Sequence, residues 1–207
     1  MDYSTLASAK SIERVTGSVS ERGISVEVVE NRAAALKWLQ AIIPAGSSIS
    51  IGGSLTLQQI EFKNLLISGK HPWHNLKGEM LAEKDPKRQA ELRRQLVMAD
   101  FFLGSVHGIA ETGEIVVLSQ TGSQLAPYMM TSRNVIWVAG TQKIVPTLED
   151  AMKRAREYVV PKVEEQLFRQ TGRRGGGKIG KVLIFENEMP YLGRTVRLLL
   201  VKEVLGF

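Results

Sequence analysis

Residues 135–139 read Val135-Ile136-Trp137-Val138-Ala139. Five apolar residues run together with no polar alternation. A strand half-exposed to water alternates apolar with polar, so a continuous run marks a strand covered on both faces, the usual state of a parallel sheet. Gly140-Thr141-Gln142-Lys143 follows it, and Thr147 then caps a long helix whose apolar stripe holds Leu148, Ala151, Met152, Ala155, Tyr158 and Val159. Pro161 kinks or restarts that helix, which continues to about Gln170.

The same alternation extends outward in both directions. Toward the N-terminus, helical spacing covers residues 5–22, and Gly23 stops it. A strand spans Ile24 to Val29, a helix runs from the Asn31 cap to Ile43, and Ser48 to Ile51 is a short strand. A helical stretch follows to Ile67. Residues 68–84 hold Gly69, Pro72 and Gly78 without a period and read as a long loop or lid. Asp85 caps a charged helix to Met98, with Pro86 at its first position. Strands Asp100 to Ser105 and Glu114 to Leu118 come next, then a short helix from Gln124 to Met130. Beyond the long helix, Gly175-Gly176-Gly177 is a flexible loop, and strands Val182 to Phe185 and Val196 to Val201 close the pattern. Helices alternating with short apolar strands predict an α/β fold, one mostly parallel sheet flanked by helices, in a single domain over 1–207.

Composition narrows the chemistry. The chain has 207 residues, 43% apolar and 23% charged, which suits a globular core. It contains no cysteine, so disulfides, thiolate catalysis and Cys-ligated clusters are excluded within it, and a reducing cytoplasmic setting fits. Met1 to Ala9 carries Asp2 and no basic run or apolar core, unlike a secretory signal, and no stretch is long and apolar enough for a membrane span. The net charge of +6 favours anionic partners. Part of it clusters at Arg169, Arg173, Arg174, Lys178 and Lys181; with few interleaved aromatics, that stretch fits a solvated loop better than a nucleic-acid surface. His71 and His74 lie three apart, but Pro72 separates them and no third ligand is evident, so no metal site is expected.

Four segments at predicted strand ends carry the candidate site. Gly52-Gly53-Ser54-Leu55-Thr56 joins a strand to a helix. Its glycines let an anion approach the backbone amides, while Ser54 and Thr56 add hydroxyls. It reads equally as a plain turn capped by Ser54. His107-Gly108, with Glu111 just beyond, could supply an acid or base, or a histidine that merely serves a turn. Thr121-Gly122-Ser123-Gln124 repeats the small-residue logic of the first segment, with Ser123 as a cap in the plainer reading. Lys143 could meet a carboxylate or phosphate, or be a solvated loop charge.

The order of several of these segments resembles the LUD-domain (lactate-utilisation) family. The resemblance rests on residues 51–57, on Ala99 to Gly104 followed by Ile109 to Val116, on Val135 to Pro146 and on Val201 to Gly206, and spans about 30–207. It implies a fold similar to ribose-5-phosphate isomerase and CoA transferases, with a ligand crevice at strand ends. It also implies an accessory or ligand-binding subunit of a lactate-utilisation-like oxidation system. Such a subunit would bind a small anion (a carboxylate, phosphate or CoA ester) without a cofactor of its own, beside an iron–sulfur partner subunit. Two departures stand out. His107 replaces the family's usual asparagine, and Ser119-Gln120-Thr121-Gly122-Ser123-Gln124 replaces Asp-Gly-Thr-Gly-Asn-Arg. Neutral groups thus stand where the family has a carboxylate and an arginine, a pattern that fits a subfamily with a different ligand. The alternatives are a free-standing isomerase or acyl/CoA-transferase-like enzyme with His107 or Glu111 as base, and a non-catalytic interaction module using residues 169–181. Self-association is compatible with all three.

Overall fold

The computed structural model describes residues 2–175 and 177–207. Gly176, at the centre of the triple-glycine loop, and Met1 lie outside the described residues. The elements run in the order α1 (Ala9–Glu21), β1 (Ser25–Val29), α2 (Arg32–Ile42), β2 (Ser48–Ile51), α3 (Leu55–Gln59), α4 (Phe62–Ser68), β3 (His74–Asn75), α5 (Leu76–Ala82) and α6 (Pro86–Gln95). They continue through β4 (Phe101–Gly104), β5 (Gly108–Ala110), β6 (Ile115–Ser119), β7 (Asn134–Gly140), β8 (Ile144–Val145), α7 (Leu148–Lys153), α8 (Val160–Thr171), β9 (Lys181–Phe185) and β10 (Thr195–Val201).

Six strands form a wholly parallel sheet in the order β1-β10-β7-β4-β2-β3. Its central strands are buried on both faces, as the 135–139 run predicts. Val135, Trp137 and Ala139 join Leu198 and Leu200 in a core under α1, while Ile136, Val138, Leu199 and Val201 face α2, α3 and α4 on the other side. The α/β class with a helix-flanked parallel sheet is therefore the observed architecture.

The strand pattern predicts one sheet, and the structure has two. A second sheet, in the order β8-β5-β6-β9, stacks on the α1 side of the first. Ile109, Ile115, Val117 and Phe185 pack into the core beneath the large sheet; Val116 and Leu118 face the opposite way, against Ala151 and Ala155. The β5–β6 hairpin is antiparallel and turns at Gly113, whose φ of 104° is left-handed and needs glycine. Strands of two and three residues are too short to leave a period in the sequence, which is why β8 and β5 escaped it.

Other departures also have local causes. The 68–84 segment is not an open loop. Trp73 is buried with its indole N–H on the Ile43 carbonyl, and α5 follows, capped by the Asn75 side chain on the Gly78 amide at 3.1 Å. Gly78 inside the helix masked its helical signal. The stretch predicted as one helix to Ile67 is broken between α3 and α4 at Glu61, which adopts a left-handed φ of 64°. The long C-terminal helix is interrupted by a π-helical turn, Arg154–Val159. Pro161 follows that turn and lacks the N–H an uninterrupted α-helix would use there.

The two sheets meet through aromatic rings. Trp137 stands edge-on to Tyr128 at 5.4 Å and to Phe185 at 5.1 Å, and Tyr128 is edge-on to Phe102 at 5.6 Å. Tyr128 lies so close to β4 that a Cβ at Gly104 would sit 1.7 Å from its hydroxyl oxygen and 2.9 Å from the ring carbon bearing it. Gly104→Ala is therefore expected to lower stability by about 1–3 kcal/mol through overpacking. Adding Tyr128→Phe removes the nearer clashing atom and should recover a large part of the loss. Urea midpoints of the two variants check this, and equal midpoints would contradict it.

Candidate functional site

All six strands of the large sheet point the same way, so their carboxyl ends share one edge. The turns leaving β2, β4 and β7, together with the chain after β10, converge there. They form the floor of a cavity of about 600 Å³, within the range that holds drug-sized ligands.

Lys143 is the centre of the floor. The chain leaves β7 at Gly140, and a single 3-10 turn carries Lys143 inward rather than out to solvent. The side chain is only 2% exposed. Its Nζ donates to Ser105 Oγ at 2.9 Å, to the Val106 carbonyl at 3.1 Å and to Thr56 Oγ1 at 3.3 Å. All three acceptors are neutral. Burial pushes its pKa well below 10.5, and the nearby Arg154 guanidinium pushes the same way. Gly206 closes the floor beside it. With φ at 65°, this residue brings backbone so near that a Cβ would stand 2.4 Å from Thr56 Oγ1 and 3.1 Å from Lys143 Nζ.

His107 also lines the cavity. The Leu118 amide donates to its Nδ1 at 3.0 Å, so the neutral ring carries its proton on Nε2. Burial, then the charges of Lys143 and Arg154, lower its pKa to about 3. The ring is thus a neutral N–H donor at physiological pH and a very weak base. Arg154 stands behind it. This guanidinium, fully buried, donates to the His107 carbonyl and packs against Tyr158 and Tyr3, whose centroids lie 5.3 and 5.7 Å away. Its Nε and Nη2 have no hydrogen-bond partner among the described residues.

The first glycine turn is only partly as predicted. The Gly52 amide donates to the Leu103 carbonyl at 3.0 Å and is not free for a ligand. Gly53 is exposed with open space beside it, and the amides of Gly53 and Ser54 carry no hydrogen bond to another described residue. Ser54 caps α3, accepting from the Leu57 amide at 3.2 Å. Gln124 lines the cavity against Gly52, donating from Nε2 to the Leu118 carbonyl at 3.1 Å.

The remaining predicted residues are elsewhere. Gly108 lies in β5, packed against Ala151 of α7. Thr121, Gly122 and Ser123 do not line the cavity; they form their own turn, with the Gly122 amide on Ser119 Oγ. Glu111 is turned toward α1, where a hydrogen bond from Ser11 and the Arg14 guanidinium, at 2.6 Å, hold its carboxyl below the usual range. It does not line the cavity that His107 lines. His71 stacks on Trp73, and no group of three potential metal ligands converges among the described residues. No helix among them is long and apolar enough to cross a membrane.

Sequence reasoning missed Ser105, Gly206 and Lys77. Lys77, in the segment read as a loop, lines the cavity and donates to the Ile51 carbonyl at 3.0 Å; burial and then the charge of Lys63 lower its pKa. Lys63, Lys77 and Lys143 all line the cavity, and among the described residues no aspartate or glutamate does.

The sequence model of the LUD domain matches residues 12–172. Among solved structures, a DUF162 family protein from Deinococcus radiodurans superposes with a TM-score of 0.52 at 13% identity, over 95% of this chain and 98% of that one. At that identity the likeness concerns the fold. A comparison with curated proteins finds no match.

The His107 environment makes a stability prediction. The folded pKa near 3 lies below the unfolded value of 6.5, so between these limits the unfolded chain binds more protons. Stability should therefore fall as pH drops from about 6.5 toward about 3, by up to about 1.4 kcal/mol per pH unit from this residue alone. His107→Gln should show a shallower loss in urea titrations at pH 7, 5 and 4. An unchanged slope would mean that the ring is not held neutral.

Proposed function

The chain belongs to the LUD-domain family, and from that premise we propose that it is the ligand-binding, accessory subunit of a lactate-utilisation-like oxidation system, holding an anion in the strand-end cavity. One observation carries this reading. Lys143 is buried on three neutral oxygens in a cavity that, among the described residues, is lined by three lysines and no acidic side chain. A buried ammonium without a counter-ion is unfavourable in the empty protein and becomes favourable when a ligand supplies the negative charge. The contact to Thr56, the longest of the three, is the easiest for a ligand oxygen to replace. The Gly53 and Ser54 amides and the His107 N–H would add neutral donors around the same anion.

In such a system a thiolate-ligated iron–sulfur centre would reside on a partner subunit, since this chain has no cysteine. Acid–base catalysis by His107 and Glu111 has no support from their placement: one is held neutral and the other is paired with Arg14.

Sulfate, whose charge is constant above pH 3, tests the anion site. It stabilises many proteins by exclusion from their surfaces, so the Lys143→Met variant is the essential reference. The wild type should gain melting temperature with sulfate beyond the gain of the variant, following the binding linkage. The advantage should shrink as pH rises. Above the lowered pKa of free Lys143, anion binding must take up a proton, and affinity falls by up to about tenfold per pH unit. Equal sulfate responses in the two proteins at every pH would refute the site.

A further inference from the structure

The cavity is larger than a three-carbon acid needs, and its polar groups occupy only part of it. The other walls mix apolar side chains with the amide side chains of Gln58, Asn75, Gln166 and Gln170. Val159, Val163 and Leu167 follow at four-residue intervals and lie on one helical face that lines the cavity. Val159, at the end of the π-helical turn, is buried, whereas α8, which bears Val163 and Leu167, has no buried residue, so these two side chains stay partly exposed beside the cavity. Further apolar lining comes from Leu66 and Ile67 of α4 and Leu81 of α5. Ile67 is 73% exposed and Leu81 67%. An exposed apolar group of this kind, continuous with a cavity, marks a surface awaiting a ligand.

We propose that the ligand is an amphiphilic anion: a carboxylate or phosphate head at Lys143 and the Gly53–Thr56 turn, with an apolar tail along α8, α4 and α5. The proposal rests on the anion-binding reading of the same site and adds the chemical class. Charge favours this occupant over a neutral lipid or an apolar protein segment, since Lys63 and Lys77 line the same cavity and no acidic side chain does among the described residues. At 1.5 Å per residue the stripe from Val159 to Leu167 is about 12 Å long, which sets the length of tail it can cover.

The test is calorimetric titration with straight-chain carboxylates from acetate to decanoate, kept below their micellar concentrations, together with lactate and sulfate. Each added methylene should tighten binding about three- to fourfold until the wall is covered, and the binding heat capacity should become more negative along the series. Leu81→Asp and Leu167→Asp should flatten that dependence. Both residues lie outside the buried core, and the melting temperatures of the unliganded variants verify their folding. Should either fail to fold, the wild-type series still decides. Sulfate binding combined with equal affinity for short and long carboxylates would overturn the amphiphile and leave the anion site standing. Failure of sulfate and every carboxylate would overturn both. Chain-length dependence that persists unchanged in folded Leu81→Asp and Leu167→Asp proteins would place the tail elsewhere and overturn the proposal.

Discussion

The structure depends on covering β7 and β10 on both faces. A strand buried on two sides can carry only apolar side chains, and its backbone groups are consumed by the ladder. Polar chemistry is thereby expelled to the strand ends. Because every strand of the large sheet is parallel, those ends fall on the same edge. Ser105, Lys143 and Gly206 come from distant parts of the sequence, yet each follows a strand of this sheet. The same constraint explains why the floor is tight: Gly140 and Gly206 both sit where a Cβ would collide with neighbouring atoms.

Electrostatics give the floor its character. Lys143 and Arg154 are both buried, and neither has a carboxylate partner among the described residues. His107, beside both, is kept neutral first by its burial and then by these two charges, and its tautomer is set by the Leu118 amide. The arrangement is poorly suited to cycling a proton through the imidazole near neutral pH. It is better suited to presenting a neutral N–H beside a lysine whose charged form a bound anion would favour. The π-helical turn contributes directly, since Arg154 begins it and reaches the His107 carbonyl from there. A widened turn of this kind re-aims side chains that a regular helix would direct elsewhere.

The legible part of this fold was the part encoded by local periodicity. The continuous run at 135–139 gave away a doubly covered strand, and Asn31, Ser54, Asp85 and Thr147 each cap the helix expected of them. The second sheet was hidden because β5 and β8 have too few residues to show a period, and β6 reads the same in either sheet. Of the site, the strand-end location was legible through the glycine turns, and the family resemblance survived as the LUD-domain match. What sequence could not distinguish was which members of each turn face inward. Thr121, Gly122 and Ser123 look as suitable as Gln124, yet only Gln124 reaches the cavity. A lysine after a strand is ordinarily solvated, and the burial of Lys143 is decided by residues as remote as Thr56 and Gly206.

The apolar wall and the buried cations are two forms of the same incompleteness. A folded protein gains by pairing its charges and covering its apolar side chains, and this one does so at Arg194, paired with Glu188 at 3.1 Å with both side chains 4% exposed, and at Trp137, enclosed by aromatic rings. Around the cavity it does neither. Lys143 would be better stabilised by a carboxylate, and Leu81 and Leu167 by a covering helix. Departures from complete packing are tolerated where function requires them. Here the uncompensated charge and the uncovered apolar surface adjoin the same cavity, and one molecule with a charged end and an apolar end would relieve both.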